Sequence, residues 1–151
     1  MKDNQQELCY QDNQGGKMDK TKVKVNFEIW GDDFNVDNVS KILDIYPSEI
    51  RKKGDKSTYS NVKIKKTSWS FGTNYQESLD INEQLRFITN ILNDKRQELQ
   101  EIKKSYNVDY QISIVIKIEN NQSPAIYLES DIIRFADEIQ AEFDVDLYVM
   151  S

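Results

Sequence analysis

The chain has no histidine, one cysteine and two prolines among 151 residues. The missing histidine removes the commonest general base and the commonest metal ligand. A single cysteine, Cys9, excludes an intrachain disulfide, and its place in a polar N-terminal stretch suits an ordinary thiol. No apolar run approaches the ~20 residues that span a bilayer, and the N-terminus has no apolar signal-peptide core. No glycine-rich phosphate loop stands between a strand and a helix. A basic excess is missing too. Lys and Arg number 20 against 26 Asp and Glu, a net charge of −6, which disfavours bulk binding to nucleic acid or anionic membranes. The expectation is a cytoplasmic protein with no cofactor and no metal, and the balance is against an enzyme.

What is present is hydrophobic periodicity. Met1 to Thr21 is polar and aperiodic, carries Gly15-Gly16, and is expected to be a disordered tail, with Met18 an alternative start. Residues 22–151 are expected to form a single α+β domain, a length that can bury a real core. Val23, Val25, Phe27 and Ile29 alternate with Lys22, Lys24, Asn26 and Glu28, the pattern of a strand with one wet face. A short helix is expected from Val36 to Leu43, capped by Asn35 and stopped by Pro47. Ser48 to Asn61 reads as a long connection. Val62 to Phe71 reads as a strand whose parity slips near Lys65-Lys66, as a bulge or a break would make it.

Ile81, Leu85, Ile88, Leu92, Leu99, Ile102 and Tyr106 form one helical stripe, interrupted at Lys95. The spacing predicts one helix over 81–106, about 39 Å at ~1.5 Å per residue. Asp80 and Glu83 offer a capping box, and Asn107 a left-handed exit. Tyr110 to Ile118 alternates as a strand, and Ala125 to Leu128 is expected to return as the second arm of a hairpin. A helix over Asp131 to Glu142 and a strand over Asp144 to Met150, with Val145, Leu147 and Val149 inward, complete the order. Strict alternation buries one strand face only. The expected architecture is therefore an α+β two-layer sandwich, with a mixed or antiparallel sheet of about five strands and helices mainly on one face.

Several stretches carry a resemblance. These are Phe27-Glu28-Ile29-Trp30-Gly31, Ile42-Leu43-Asp44-Ile45-Tyr46-Pro47-Ser48, Lys53-Gly54-Asp55, Trp69, and Asp144-Val145-Asp146-Leu147-Tyr148. In this order and spacing the chain resembles domain-of-unknown-function family 4279, a group of small bacterial proteins, over about Val23 to Tyr148. The resemblance implies a compact α+β domain and brings no catalytic residues with it.

Three groups of residues are candidates for function. Arg51 to Lys66 has seven basic residues against Asp55 alone. Within or near it Arg51, Lys52, Lys53, Lys56, Tyr59 and Trp69 could grip a phosphate or an acidic surface, and the plainer alternative is a solvated loop and strand face. Carboxylate pairs such as Asp32-Asp33 and Asp144-Asp146 lack metal-ligand spacing and suit turns or solvent. The aromatics Trp30, Tyr46, Tyr59, Trp69, Phe71 and Tyr75 fit either binding hot spots or caps on a core. Charge is also sorted along the chain: Glu119 to Ser151 holds eight acidic residues against Arg134. An acidic surface steers a protein onto a basic partner, with Asp137, Glu138 and Glu142 as the expected contacts. The first expectation is a non-catalytic protein-binding module, by analogy of type an immunity or antitoxin-like protein. The alternatives are a small-molecule or phosphate binder, or enzyme, using loop 51–66, and a homo-oligomeric structural protein pairing through a strand edge.

Overall fold

Alternation of apolar residues decides the sheet. In the computed structural model, which describes residues 19–151, strand β1 (Lys22–Gly31) buries every second residue. It pairs antiparallel with β3 (Thr67–Gly72) on one side and with β5 (Asp109–Ile118) on the other. The short strand β2 (Glu49–Arg51) flanks β3, and β6 (Ala141–Val149) flanks β5 in parallel. The sheet order is β2-β3-β1-β5-β6, with the two-residue β4 (Gln76–Glu77) pairing with the start of β1. The sheet is mixed and has six strands, and the fold is α+β. Of the tail expected over Met1 to Thr21, residues 1–18, with Cys9 and Met18, lie outside the described residues. Thr21 belongs to the domain: it is buried, and its Oγ1 accepts the Glu119 N–H at 3.1 Å.

Helices α1 (Val36–Leu43), α2 (Ile81–Leu92), α3 (Arg96–Tyr106) and α4 (Ser130–Ile139) supply the second layer. Their stripes, among them Val39, Leu43, Leu85, Ile88, Leu92, Leu99, Ile102, Phe135 and Ile139, form one core with the sheet residues Val25, Phe27, Ile29, Trp69, Ile112, Ile114 and Ile116. Among the described residues no helix is long and apolar enough to cross a membrane.

Capping is local and follows the sequence. Asn35 Oδ1 accepts the Asn38 N–H at 3.0 Å, Asp80 Oδ1 accepts the Asn82 N–H at 2.9 Å, and Asn107 is left-handed at φ 52°. The Asp80 N–H is met by Ser78 Oγ at 3.2 Å instead of by Glu83. Helix α1 ends at Asp44, left-handed at φ 54°, before Pro47 is reached. Arg86 on α2 clamps α4, meeting Glu129 at 3.0 Å and both carboxylate oxygens of Asp131. Arg86 holds the Asp131 carboxyl well below the usual range, at about 2.

Four expectations are corrected. The helix over 81–106 is two helices joined by a 3-10 turn at Asn93–Lys95. Three polar residues there leave nothing to bury, and Lys95 at φ −111° and ψ 17° bends the path. The strand expected over Val62 to Phe71 begins only at Thr67, so of the bulge or break expected near Lys65-Lys66 it is the break that is present. Residues 52–66 fold back on themselves, with an isolated Lys56–Lys63 bridge and the Gly54 N–H bonded to the Ile64 carbonyl at 2.9 Å. Ala125 forms only an isolated parallel bridge with Asp80, and Pro124 before it has no N–H to give a ladder. Finally, α4 ends at Ile139 on a left-handed Gln140, so Glu142 belongs to β6 and not to the helix.

Candidate functional site

The four helices share one side of the sheet, and the other side carries Asn26, Glu28 and Trp30 from β1 with Ser68 and Ser70 from β3. The register sets these beside Gln111 and Ser113 of β5, and then beside Glu142, Asp144 and Asp146 of β6. Glu49 and Arg51 of β2 stand beyond Ser70 and Ser68. This polar face therefore has serines in its middle and carboxylates from rim to rim. At one end Tyr75 is bracketed by Lys24 and Lys117, whose Nζ atoms lie 5.4 and 4.1 Å from its ring centre. At the other end an open cleft of about 330 Å³ brings Trp30, Gln111 and Glu142 together with Lys66.

Glu28 sits near the centre of this face. Burial pushes its carboxyl above the ordinary 4.5, and Asp144 and Glu49 add to the rise, against the Trp30 indole, whose Nε1–H donates to Glu28 Oε1 at 3.3 Å, and Arg51. A carboxyl with a raised folded pKa weighs against the folded state once ionised. That burden lifts as pH falls through the raised value toward 4.5. Glu28→Gln keeps the acceptor for Trp30 and removes the charge. It is expected to raise the melting temperature at pH 7 and to lose that advantage near pH 4, measured by thermal melts at the two values. An equal gain at both would show that charge at Glu28 is not the cause.

The acidic C-terminal third is sorted by its partners. Glu129 and Asp131 are held by Arg86, and Glu138 by Arg96 at 3.1 Å. Among the described residues no cation forms an ion pair with Glu142, Asp144 or Asp146, all of them exposed. Of the three contacts expected from sequence, Asp137 and Glu138 stay at the end of α4, and Glu142 alone reaches the sheet face. Asp144, Asp146 and Glu28 complete the group. Their alternation on strands was visible, but nothing local shows that β6 and β1 share an uncovered face.

The basic stretch forms the irregular loop between β2 and β3. Lys53 is spent on Asp32, its Nζ donating to the carboxylate at 2.8 and 2.9 Å, and Arg51 lies 3.5 Å from Glu49. Lys52, Lys56 and Tyr59 are exposed. Trp69 is no contact residue: it is fully buried, and its Nε1–H donates to Ser40 Oγ at 2.9 Å. The structure divides the aromatic set, sending Trp69 to the core and leaving Tyr46 and Tyr59 almost fully in solvent. Tyr46 lines a second, more apolar groove with Ile45, Pro47 and Ile50. Among the described residues no group of three or more Cys, Asp or Glu side chains is placed to hold a metal ion.

A family model described as a domain of unknown function, DUF4279, matches residues 21–150. The chain belongs to the DUF4279 family. No curated protein and no solved structure matches it. The DUF4279 match covers all six strands and all four helices, so the acidic sheet face is part of the family domain and not of an appended segment.

Proposed function

We propose that this DUF4279 domain is a cytoplasmic, non-catalytic protein-binding module that presents its open sheet face to a basic partner. The observation that supports the reading is the row of carboxylates Glu142, Asp144 and Asp146, unpaired among the described residues, on a face without helix cover beside Glu28 and Glu49. A carboxylate that no described cation of its own chain holds can meet one on another protein. A cluster of them raises association rates through long-range attraction. An immunity-type role, neutralising a basic toxin such as a nuclease, is the biological setting this chemistry fits.

Reversing Glu142, Asp144 and Asp146 together to lysine is expected to slow association with the partner at least about tenfold at low salt, as steering effects of this kind do. Raising ionic strength is expected to slow the wild-type protein in the same direction, because the Debye length shrinks to ~8 Å at physiological salt. Reversing Lys52 and Lys56 to glutamate is expected to leave the rate unchanged. Surface plasmon resonance at two salt concentrations checks all three. Slowing by the lysine reversals alone would move the contact to the basic loop.

A further inference from the structure

The outer edge of β6 is the longest unpaired strand edge in the described chain. The sheet ends at β2 on one side, three residues long, and at β6 on the other, nine residues long. The Met150 N–H continues the ladder inward to the Ile118 carbonyl at 2.9 Å. Strand alternation therefore turns the N–H and C=O groups of Val145, Leu147 and Val149 outward. Ala141 to Val149 has no proline and no lysine or arginine, and its only charges are the carboxylates Glu142, Asp144 and Asp146, which repel an acidic strand and leave the edge open to a basic one. The register places Val145, Leu147 and Val149 on the helix side of the sheet, beside Ile114, Ile116 and Ile118, yet they remain 42%, 53% and 72% exposed. The opposite side of the same strand is acidic at Glu142, Asp144 and Asp146.

We infer that β6 is a strand-addition site for an extended segment of another protein in which apolar and basic residues alternate. Main-chain groups of such a segment would pair with the outward groups of Val145, Leu147 and Val149. Its apolar side chains would extend the half-covered layer over Val145 and Leu147, and its lysines or arginines would face Asp144 and Asp146. Charge selects this occupant over a second copy. In any register a second copy's β6, which has no lysine or arginine from Ala141 to Val149, brings more carboxylates and no cation to meet Asp144 and Asp146, and pairing about Val145 would set them directly opposite each other. The inference rests on the acidic-face reading and adds backbone pairing to it, so the two fail differently.

The test uses the full chain and a capped heptapeptide of alternating lysine and valine. A glutamate–valine alternation and a lysine-valine peptide of the same composition in two blocks serve as comparisons. Fluorescence anisotropy reads affinity, and amide hydrogen exchange by NMR reads pairing. The alternating lysine peptide is expected to bind and to slow exchange at Val145, Leu147 and Val149, with the glutamate peptide silent. Leu147→Pro removes one outward donor at an edge position and is expected to weaken binding by up to about tenfold, the worth of one such hydrogen bond. Protection of the three amides in the wild-type chain decides the matter even if that variant misfolds. No binding of the alternating peptide, equal binding by the blocked peptide, or binding without amide protection would each overturn strand addition, the last while leaving the acidic face intact. Amide protection that grows with the chain's own concentration would assign the edge to a second copy and overturn the proposal as well.

Discussion

Trp69→Ala is expected to destabilise the domain by about 3–5 kcal/mol, the range for truncating a large buried aromatic. Trp69 is the largest fully buried side chain. It lies in the second strand from the β2 edge, packed in the common core, and its indole N–H reaches across to Ser40 Oγ on α1 at 2.9 Å. The substitution leaves a cavity between sheet and helix and removes the polar tie together. Trp69→Phe separates the two. It keeps most of the apolar volume and loses the N–H, so a loss nearer ~1 kcal/mol, that of one hydrogen bond, is expected for the tie, beside a smaller cavity cost. Urea denaturation read by circular dichroism, with an unchanged slope, measures both. A change under ~1 kcal/mol for Trp69→Ala would place the indole at a surface, where partner contact could then be argued for it.

Gly72→Ala is expected to be the most damaging small substitution. A Cβ at Gly72 would lie 2.3 Å from the Val25 carbonyl oxygen and 2.8 Å from Asn26 Cα, both backbone atoms of β1, and 1.9 Å from Asn26 Oδ1. The Asn26 side chain can swing away. The backbone of the central strand cannot move without disturbing its pairing with β5. Overpacking of this kind costs about 1–3 kcal/mol, and more where the neighbour is rigid. The same change at Gly54, where a Cβ meets nothing, strains only a φ of +93° in a surface loop and should cost less. Thermal melts of the two variants side by side check the order. A Gly72→Ala protein as stable as wild type would mean that β3 does not approach β1 as closely as described.

Much of this fold was legible because its signals are local. Strict alternation marked β1 and β5, and the caps at Asn35, Asp80 and Asn107 act within a few residues. Lys95 marked the place where α2 and α3 part, though the stripe on either side read as continuous. The strands β2 and β4 have no signal of their own, being three and two residues long, and exist because β3 and β1 offer edges to pair with. The end of α4 was illegible for another reason. Gln140 adopts a left-handed conformation with no glycine to announce it, and that single residue moves Glu142 from a helix to a sheet. Charge sorting along the chain was plain, but its meaning was not. Arg86 silences Asp131 from 45 residues away, and only the tertiary pairing separates the carboxylates that are neutralised from those that remain.

The most direct measurement of the central claim is affinity capture from the native host with three full-length baits, read by mass spectrometry. The baits are the wild-type chain, the chain with Glu142, Asp144 and Asp146 changed to lysine, and the chain with Lys52 and Lys56 changed to glutamate. The account predicts a basic protein recovered by the first and third baits and lost with the second. A partner retained by the second bait and lost with the third, or a purified chain that turns over a small substrate with activity surviving both sets of reversals, would contradict it.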